Sequence, residues 1–285
     1  MNATGRFFAG LVLASHPFPA LMNAVGALAV GLAGAGLGAV PALSVAAAVL
    51  ASHASIGAMN DARDAEGDRL TAPHKPIVRG FITERAALLW SLAAGALGLG
   101  LSLAQGLQSF AVAAAVIAAG MAYNFGLKGT LWSAVPYAVF IPSAAVWPFA
   151  AAGRMGGAVL LSYPIGAALA VGLNIANTLP DLEVDAKLGL RGLAHRLGRG
   201  RAVLAVLACY AVTALLVSAV AGFAFGGRAA LFCAIGGAAL VALLAFAYRG
   251  NPSRGGLRRA WIAAAIAAVA IAVAWALILR RLGGV

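Results

Sequence analysis

The feature that most constrains this chain is a series of nine long apolar runs. Each is about as long as the roughly 20 mostly apolar residues that a helix needs to cross a bilayer. Charged residues make up only 10% of the 285 residues, against roughly 25% in a soluble domain. The pattern predicts an all-α integral membrane protein and excludes a soluble enzyme, a disordered chain and a disulfide scaffold. The predicted spans are residues 18–37, 40–59, 84–104, 109–126, 131–151, 156–180, 201–223, 228–248 and 257–280.

The cations are distributed unevenly over the connections between these runs. The chain carries 20 Lys and Arg against 8 Asp and Glu, a net charge of +12. In a membrane protein such an excess indicates topology and not a nucleic-acid partner, because cytoplasmic loops accumulate Lys and Arg. With the N-terminus inside, 16 of the 20 cations fall on the cytoplasmic side. We therefore expect the connections 60–83, 181–200 and 249–256 to be cytoplasmic and the C-terminus to lie outside.

The first 15 residues contain a short apolar run that ends at His16-Pro17. Because another long apolar run follows, we expect an interfacial helix that leads into the first span and not a cleaved signal peptide. The richness in Ala, Gly and Arg favours a GC-rich bacterial genome, and hence a bacterial cell membrane.

The acids are more informative than the cations, because seven of the eight lie in two nine-residue windows. We call Asn60–Asp68 the first acidic motif and Asn177–Asp185 the second acidic motif. Four of their positions match at a single offset of 117 residues. The duplication predicts one membrane domain over residues 1–285, built from two related halves at about 16–126 and 131–248 and a last helix at 257–280. Binding sites at the interface of such repeats are common in membrane proteins.

Helical spacing places the polar side chains of each motif on one stripe, because residues four apart share a face. Glu66 and Glu183 lie two residues further along and point away, so we leave both out of the site. Two facing stripes of acids repel unless cations lie between them, and oxygen ligands without a His or Cys set favour Mg²⁺. A solvated, salt-bridged helix end is the alternative, which the duplication disfavours. The predicted metal ligands are Asn60, Asp61, Asp64, Asp68, Asn177, Asp181 and Asp185.

Cations follow both motifs closely in the sequence. Lys75 and Arg79 come after the first motif, Lys187 and Arg191 come after the second, and Lys128 ends the fourth span. Any one of them alone is typical of a cytoplasmic loop. As a set beside two groups of carboxylates, some of them are expected to contact a polyphosphate, which has to be neutralised from several sides.

These residues resemble a known family. Asn60-Asp61-x-x-Asp64-x-x-x-Asp68, with His74-Lys75-Pro76 after it, is similar to the NDxxDxxxD signature of the UbiA superfamily of intramembrane prenyltransferases. The segment from Tyr123 to Lys128 is similar to that family's Tyr…Lys segment, and the second acidic motif to its second aspartate motif. The resemblance covers about residues 16–200.

The resemblance implies nine transmembrane helices, in two four-helix halves plus one, around a central cavity that opens to the cytoplasm. It implies that Mg²⁺ binds an isoprenyl diphosphate, that the allylic C–O bond ionises, and that the carbocation alkylates a hydrophobic or aromatic acceptor. Neither the acceptor nor the prenyl length follows from the sequence. The implied catalytic residues are Asp64, Asp68, Asp181 and Asp185. The implied diphosphate ligands are Asn60, Lys75, Arg79, Tyr123, Lys128, Lys187 and Arg191.

Four positions depart from the family pattern or stay open. Thr178 stands where many members have Asp, which leaves two carboxylates for the second metal. Pro180 should kink the sixth span, because proline removes a backbone hydrogen bond. His16 replaces a frequent arginine, so no phosphate contact is expected there. His53 lies seven residues before Asn60, and both a cavity residue and a helix-packing histidine are consistent with its position.

Two other functions use similar features. A terpene cyclase of the same superfamily ionises the same diphosphate, but its cation reacts with its own tail. A transporter or cation channel also combines internal repeats with intramembrane acids. The acids of this chain lie at helix ends and not in the middle of the membrane, which favours prenyl transfer.

Overall fold

The computed structural model describes residues 2–187, 189–249 and 253–283 and is all-helical over them. Helices alternate with short connections along the whole described chain, and two 3₁₀ turns (Leu131–Ser133 and Leu179–Asp181) and one π-helical turn (Tyr123–Leu127) complete it. The α-helices are Ala3–Ala14 (α1), Pro17–Ala33 (α2), Ala39–Thr71 (α3), Glu84–Ala104 (α4), Leu107–Ala122 (α5), Ala134–Ala151 (α6), Gly157–Leu160 (α7), Ser162–Thr178 (α8), Leu182–Lys187 (α9), Leu193–Phe225 (α10), Gly227–Arg249 (α11) and Arg254–Leu282 (α12).

Eight helical segments within the described residues are long and apolar enough to cross a membrane. A ninth span results if α1 and α2, which meet at an angle of 60°, count as one bent span. The bend lies at His16, whose φ of 49° places a non-glycine residue in the left-handed region, a conformation that costs free energy. The prediction of an all-α integral membrane protein is confirmed, whereas the count of nine spans stays a prediction.

Helix α3 continues well beyond the predicted second span. The apolar run ends near residue 59, but the helix extends to Thr71, so the first acidic motif lies on one continuous helix. The predicted connection therefore begins about three turns too early. Helix α4 packs closely against α3 at small residues, where a Cβ at Gly98 would approach Ser52 Oγ to 2.4 Å. Close approach of small residues is a common way for membrane helices to pack.

The matching stretch of the second half is not continuous. Helix α8 ends at Thr178, a 3₁₀ turn that includes Pro180 follows, and α9 resumes at Leu182. The regular α-helix is thus interrupted at Pro180, whereas a kink of the sixth span stays a prediction. Downstream, α10 is broken at Gly198, where a φ of 69° interrupts the helix before the predicted seventh span.

The helices form a closed ring around a cavity. Neighbours in sequence pack side by side, α8 packs between α6 and α10, and α12 returns to pack against α2. Most of the buried apolar side chains belong to one core cluster that extends from α2 to α12. The ring places the ends of α3, α8 and α9 at one mouth of the cavity, with the aspartates of both motifs.

Candidate active site

The cavity has a volume of about 1230 Å³ and divides into a polar mouth and an apolar depth. All seven predicted metal ligands of the two motifs line the cavity, and Lys75, Lys128 and Tyr123 line it with them. Electrostatic interactions reach from Asp185 of the second motif to Asp64 and Lys128 of the first half. The two motifs therefore face one shared space, as expected from their duplication.

Asp61 of the first motif is the most buried acid in the site. It is 1% exposed, and its Oδ1 contacts both Nε2 of His16, at 2.7 Å, and Nζ of Lys75. Lys75 also lies 3.3 Å from Asp68 Oδ2, so one cation joins two carboxylates that are two helical turns apart. Asp61 thereby anchors both the α1–α2 bend and the connection that follows α3.

Asp64 and Asn60 belong to a second network that leads to the end of α5. Lys128 Nζ contacts Asp64 Oδ2, and Asn60 Nδ2 donates to Asp64 at 3.0 Å and to Asn124 Oδ1 at 3.2 Å. Asn124 and Tyr123 lie in the π-helical turn at residues 123–127. Such turns are frequent at functional sites, and this one brings Lys128 back over the first motif.

The second motif makes fewer contacts. Asn177 Nδ2 donates to Tyr137 Oη at 3.0 Å, and Asp181 Oδ1 accepts from Arg254 Nε at 2.8 Å. Tyr123 packs edge to face on Tyr137 at 5.8 Å, which joins the two halves at the mouth. Asp181 remains 42% exposed, so its carboxylate stays accessible to a ligand in the cavity.

The donor set fits Mg²⁺ that is bound together with a phosphate. Within the described residues, no group of three or more His, Cys, Asp or Glu side chains is tight enough to hold a metal by itself. Mg²⁺ needs no such group, because it keeps several waters and is commonly held by one or two carboxylates plus substrate phosphates. Asp61 Oδ2 is buried and has no hydrogen-bond partner among the residues that the structure describes.

Three of the predicted diphosphate ligands are not among the residues that line the cavity. The Arg79 guanidinium stacks on the Phe81 ring, 4.3 Å from its centroid. The backbone of Arg191 is tied to Gly129, and Lys187 ends α9 outside the lining. The structure therefore brings Asn60, Lys75, Tyr123 and Lys128 to the site, and the diphosphate role of the other three stays a prediction without support from the geometry.

The two glutamates that were left out of the site differ from each other. Glu183 points outward and pairs with Arg199 at 2.8 Å, with 82% of its side chain exposed. Glu66 is also exposed, but it belongs to the cavity lining. The helical-wheel argument is therefore right for Glu183, whereas Glu66 lies at the rim because the motif continues on α3 into the mouth.

The histidines at the start of the cavity were difficult to interpret from the sequence. His16 lines the mouth through its contact with Asp61. His53 lines the cavity deeper, where its Nδ1 lies 3.0 Å from the Val49 carbonyl oxygen. Both histidines thus belong to the cavity, and for His53 the structure combines the two interpretations, since the ring also packs against its own helix.

Sequence reasoning missed the contribution of α12 and of the start of α10. Arg254, Arg258 and Trp261 line the cavity, and Phe18 packs on Trp261 with the ring centroids 5.3 Å apart. His195 lines the cavity with both ring nitrogens buried and without a partner among the described residues. The one available signal was the Arg254–Arg258 spacing of four, which places two cations on one helical face.

The arrangement defines an all-helical membrane protein whose paired acidic motifs share one cavity. The family model of the UbiA prenyltransferase family matches residues 7–258. The chain therefore belongs to the UbiA prenyltransferase family. The predicted family and the predicted enzyme class, a transferase of prenyl groups, are both confirmed.

Curated relatives share sequence over most of the chain. A digeranylgeranylglyceryl phosphate synthase of Natronomonas pharaonis is 31% identical over 236 residues, which cover 81% of this chain and 82% of that protein. The synthase of the same name from Methanopyrus kandleri is 34% identical over 194 residues, 66% of this chain and 70% of that protein.

Solved structures share the fold. A UbiA homolog from Archaeoglobus fulgidus bound to DMAPP and Mg²⁺ superposes with a TM-score of 0.71 at 19% identity and covers 91% of this chain and 99% of its own. The apo structure of a UbiA homolog from Aeropyrum pernix K1 gives a TM-score of 0.64 at 20% identity, with 96% of both chains covered. The UbiA-like fold is thus shown.

Proposed function

We propose that this protein transfers an isoprenyl group from a prenyl diphosphate to an acceptor within the membrane, with Mg²⁺ as cofactor. The observation that carries the proposal is that acidic motifs 117 residues apart meet at the mouth of one cavity whose depth is apolar. Such a cavity suits an amphiphile with a polyanionic head and a hydrocarbon tail. The Archaeoglobus fulgidus homolog bound to GPP and Mg²⁺ holds a substrate of this kind.

Four of the aspartates at the mouth are paired with cations, Asp61 and Asp68 with Lys75, Asp64 with Lys128 and Asp181 with Arg254, and they differ in how exposed they are. Asp64 and Asp68 of the first motif, and Asp181 and Asp185 of the second, would hold Mg²⁺ together with Asn60 and Asn177. Bound there, Mg²⁺ would neutralise the charge that builds on the departing diphosphate. Asp61, which is already paired with His16 and Lys75, would act mainly by holding Lys75 in place.

Lys75 and Lys128, which both precede the second half of the chain, would assist the departure of the diphosphate. Both ammonium groups lie at carboxylates that would face the diphosphate, so binding exchanges one anionic partner for another at little cost. Cations aimed at developing negative charge are among the largest contributions to catalysis. The apolar depth of the cavity keeps water from the allylic cation, and the faces of Tyr123, Tyr137 and Trp261 are placed to stabilise it.

For the acceptor we propose a hydroxyl of a lipid-like glyceryl phosphate. The name of the curated relatives describes a glyceryl phosphate that carries two geranylgeranyl groups. In this chain, Arg254 and Arg258 of α12 line the cavity, and Arg254 lies at Asp181 of the second motif, so both cations are available to an acceptor phosphate. The oxygen would attack the allylic carbon, lose its proton and form an ether, while diphosphate leaves.

We further propose the topology that the cations predict. The bent pair α1–α2 would form the first of nine spans in one domain of two halves and a last helix. The mouth with its acids would face the cytoplasm, with the N-terminus inside and the C-terminus outside. The bacterial membrane predicted from composition belongs to the same proposal. Reactivity of cysteines introduced at residues 74 and 154 toward an impermeant thiol reagent in sealed vesicles tests the orientation.

Product analysis tests the reaction. Purified protein is incubated with geranylgeranyl diphosphate and Mg²⁺, with and without geranylgeranylglyceryl phosphate. We expect diphosphate release and a prenylated ether only with the acceptor and only with Mg²⁺. A cyclic hydrocarbon formed without acceptor would indicate the cyclase instead. Uptake of an ion or solute without chemical change would indicate a transporter and would contradict the proposal.

A further inference from the structure

The apolar depth of the cavity ends at a tryptophan that is fixed in place. Trp275 of α12 is only 4% exposed, and its Nε1 donates to Ser162 Oγ of α8 at 2.8 Å. Ser162 is also buried, and both residues belong to the cavity lining. An indole that is hydrogen-bonded across two helices is a bulky and rigid wall at the end of the cavity farthest from the acids.

The α12 wall above Trp275 combines three alanines with the larger side chains of Ile262, Val269 and Ile271. The alanines and two tryptophans of α12 that line the cavity are spaced three or four residues apart, which places them on one helical face. They are Trp261, Ala265, Ala268, Ala272 and Trp275. The three alanines leave a groove, which Trp261 limits at the mouth and Trp275 limits at the bottom. Thr213 and Val217 of α10 form part of its side.

Helix rise gives the length of this groove. Trp261 and Trp275 are 14 residues apart, which corresponds to about 21 Å along an α-helix. The facing helix α8 gives an independent measure, because its lining residues extend from Ser162 to Asn177. Those 15 positions correspond to about 22 Å, so the α8 wall, measured from the second acidic motif, is about as long as the α12 groove between its two tryptophans.

A prenyl tail of four isoprene units matches this length. With carbon–carbon bonds of about 1.5 Å, its extended main chain measures about 20 Å. We propose that Trp275, positioned by Ser162, is the specificity-determining residue that sets the prenyl length, and that the groove takes a geranylgeranyl tail. The inference rests on the proposed function, because it takes the diphosphate at the acidic motifs as its starting point.

Removing the bulky side chain of Trp275 tests whether the cavity then accepts a longer prenyl tail. Mg²⁺-dependent binding of farnesyl, geranylgeranyl and geranylfarnesyl diphosphate is measured for the full chain in detergent. The wild type should bind the geranylgeranyl compound best. Trp275→Ala should raise the affinity for the geranylfarnesyl compound relative to the geranylgeranyl one by about tenfold or more, the scale on which pockets discriminate added carbon groups. Trp132→Ala, which removes an exposed tryptophan outside the cavity, should leave the order unchanged.

Adding a bulky side chain closer to the mouth tests whether the cavity then prefers a shorter prenyl tail. This test does not depend on the folding of the Trp275 variant. Ala272→Leu, one turn closer to the mouth, should shift the preference from geranylgeranyl to farnesyl diphosphate. Ala270→Leu is the matched control, because Ala270 is exposed and lies outside the lining. It should bind all three compounds as the wild type does.

The outcomes separate this inference from the proposed function. Ratios of affinity among the three compounds that stay as in the wild type in Trp275→Ala, or in a folded Ala272→Leu variant, would overturn the assignment of Trp275 as the closed end of the groove, while Mg²⁺-dependent binding as such would still support the function. If no prenyl diphosphate bound in a Mg²⁺-dependent way, or if Asp64→Asn bound them all normally, the proposed function itself would fail.

Discussion

The two acidic motifs have the same spacing but different backbones. The first lies on the continuous helix α3, and its three aspartates are partly or fully buried against His16, Lys75 and Lys128. The second is divided by the 3₁₀ turn at Pro180, and its described ion pair at Asp181 reaches an arginine that is 49% exposed. Equal sequence patterns therefore give one rigid and one more adaptable half-site.

The difference has a physical consequence for binding. In the first motif the cations that would contact a diphosphate are already in position, so little conformational entropy is lost when the ligand binds. In the second motif, the short α9 and an exposed ion pair leave the carboxylates room to adjust. We infer that the first motif sets the position of the diphosphate and that the second closes on it.

Neutralising one acid in each motif should have the largest effect. Asp64→Asn and Asp181→Asn should each reduce Mg²⁺-dependent prenyl transfer by about 10²–10³-fold, because each removes a charge that stabilises the transition state. Steady-state rates over a Mg²⁺ titration measure the loss, and circular dichroism controls for folding. Near wild-type activity in either variant would contradict the shared site.

Removing the cation that pairs with an aspartate should destabilise the protein more at the first motif than at the second. Lys75→Met leaves Asp61, which is 1% exposed, without its ammonium partner and should lower the free energy of unfolding by about 3 kcal/mol. Arg254→Met breaks an exposed pair and should lower it by less than about 1 kcal/mol. Unfolding in detergent without Mg²⁺ measures both. Equal losses would show that the two motifs are equally preorganised.

Straightening the second motif should have an intermediate effect. Pro180→Ala restores a backbone N–H and removes a residue that costs about 3 kcal/mol within a helix, so α8 and α9 should merge. We expect turnover to fall by roughly tenfold or more with unchanged or higher thermal stability, since a displacement of about 1 Å at the reacting groups can cost up to about 10²-fold in rate. Unaltered turnover would mean that the break at Pro180 does not matter for positioning Asp181 and Asp185.

The smallest effect is expected at the two glutamates. Glu66→Gln removes a charge at the rim of the cavity and should change the Mg²⁺ concentration for half-maximal activity by about two- to threefold, by screened electrostatics. Glu183→Gln, the matched change in the second motif, breaks an exposed pair with Arg199 and should change neither activity nor stability measurably. A larger effect of Glu183→Gln than of Glu66→Gln would contradict the assignment of Glu66, and not Glu183, to the rim of the cavity.

Much of the fold and part of the site followed from the sequence. The apolar runs located nearly every helix, because the bilayer demands a fixed length of apolar residues. The duplicated spacing located both motifs, and the helical period separated Glu183 from the acids that line the cavity. The helix ends were less accurate: α3 continues through its polar residues to Thr71, because hydropathy records where the membrane ends and not where the helix does.

The cations show why the rest could not be predicted. Lys75 and Arg79 are four residues apart, yet Lys75 joins Asp61 to Asp68 while Arg79 stacks on Phe81 outside the lining. Their order along the chain does not distinguish them, because the path of a connection depends on what it packs against. Arg254 contacts Asp181 from 73 residues away, a distance over which no local pattern operates.

The sequence alone determined that the chain spans a membrane as helices and that its acids are concentrated in two related motifs, since hydropathy and spacing are local properties of the chain. The tertiary structure decided which cation pairs with which acid, that α12 completes the mouth, and that Trp275 closes the groove. Those features depend on how helices that are distant in the sequence pack against one another, and no local pattern of residues specifies that packing.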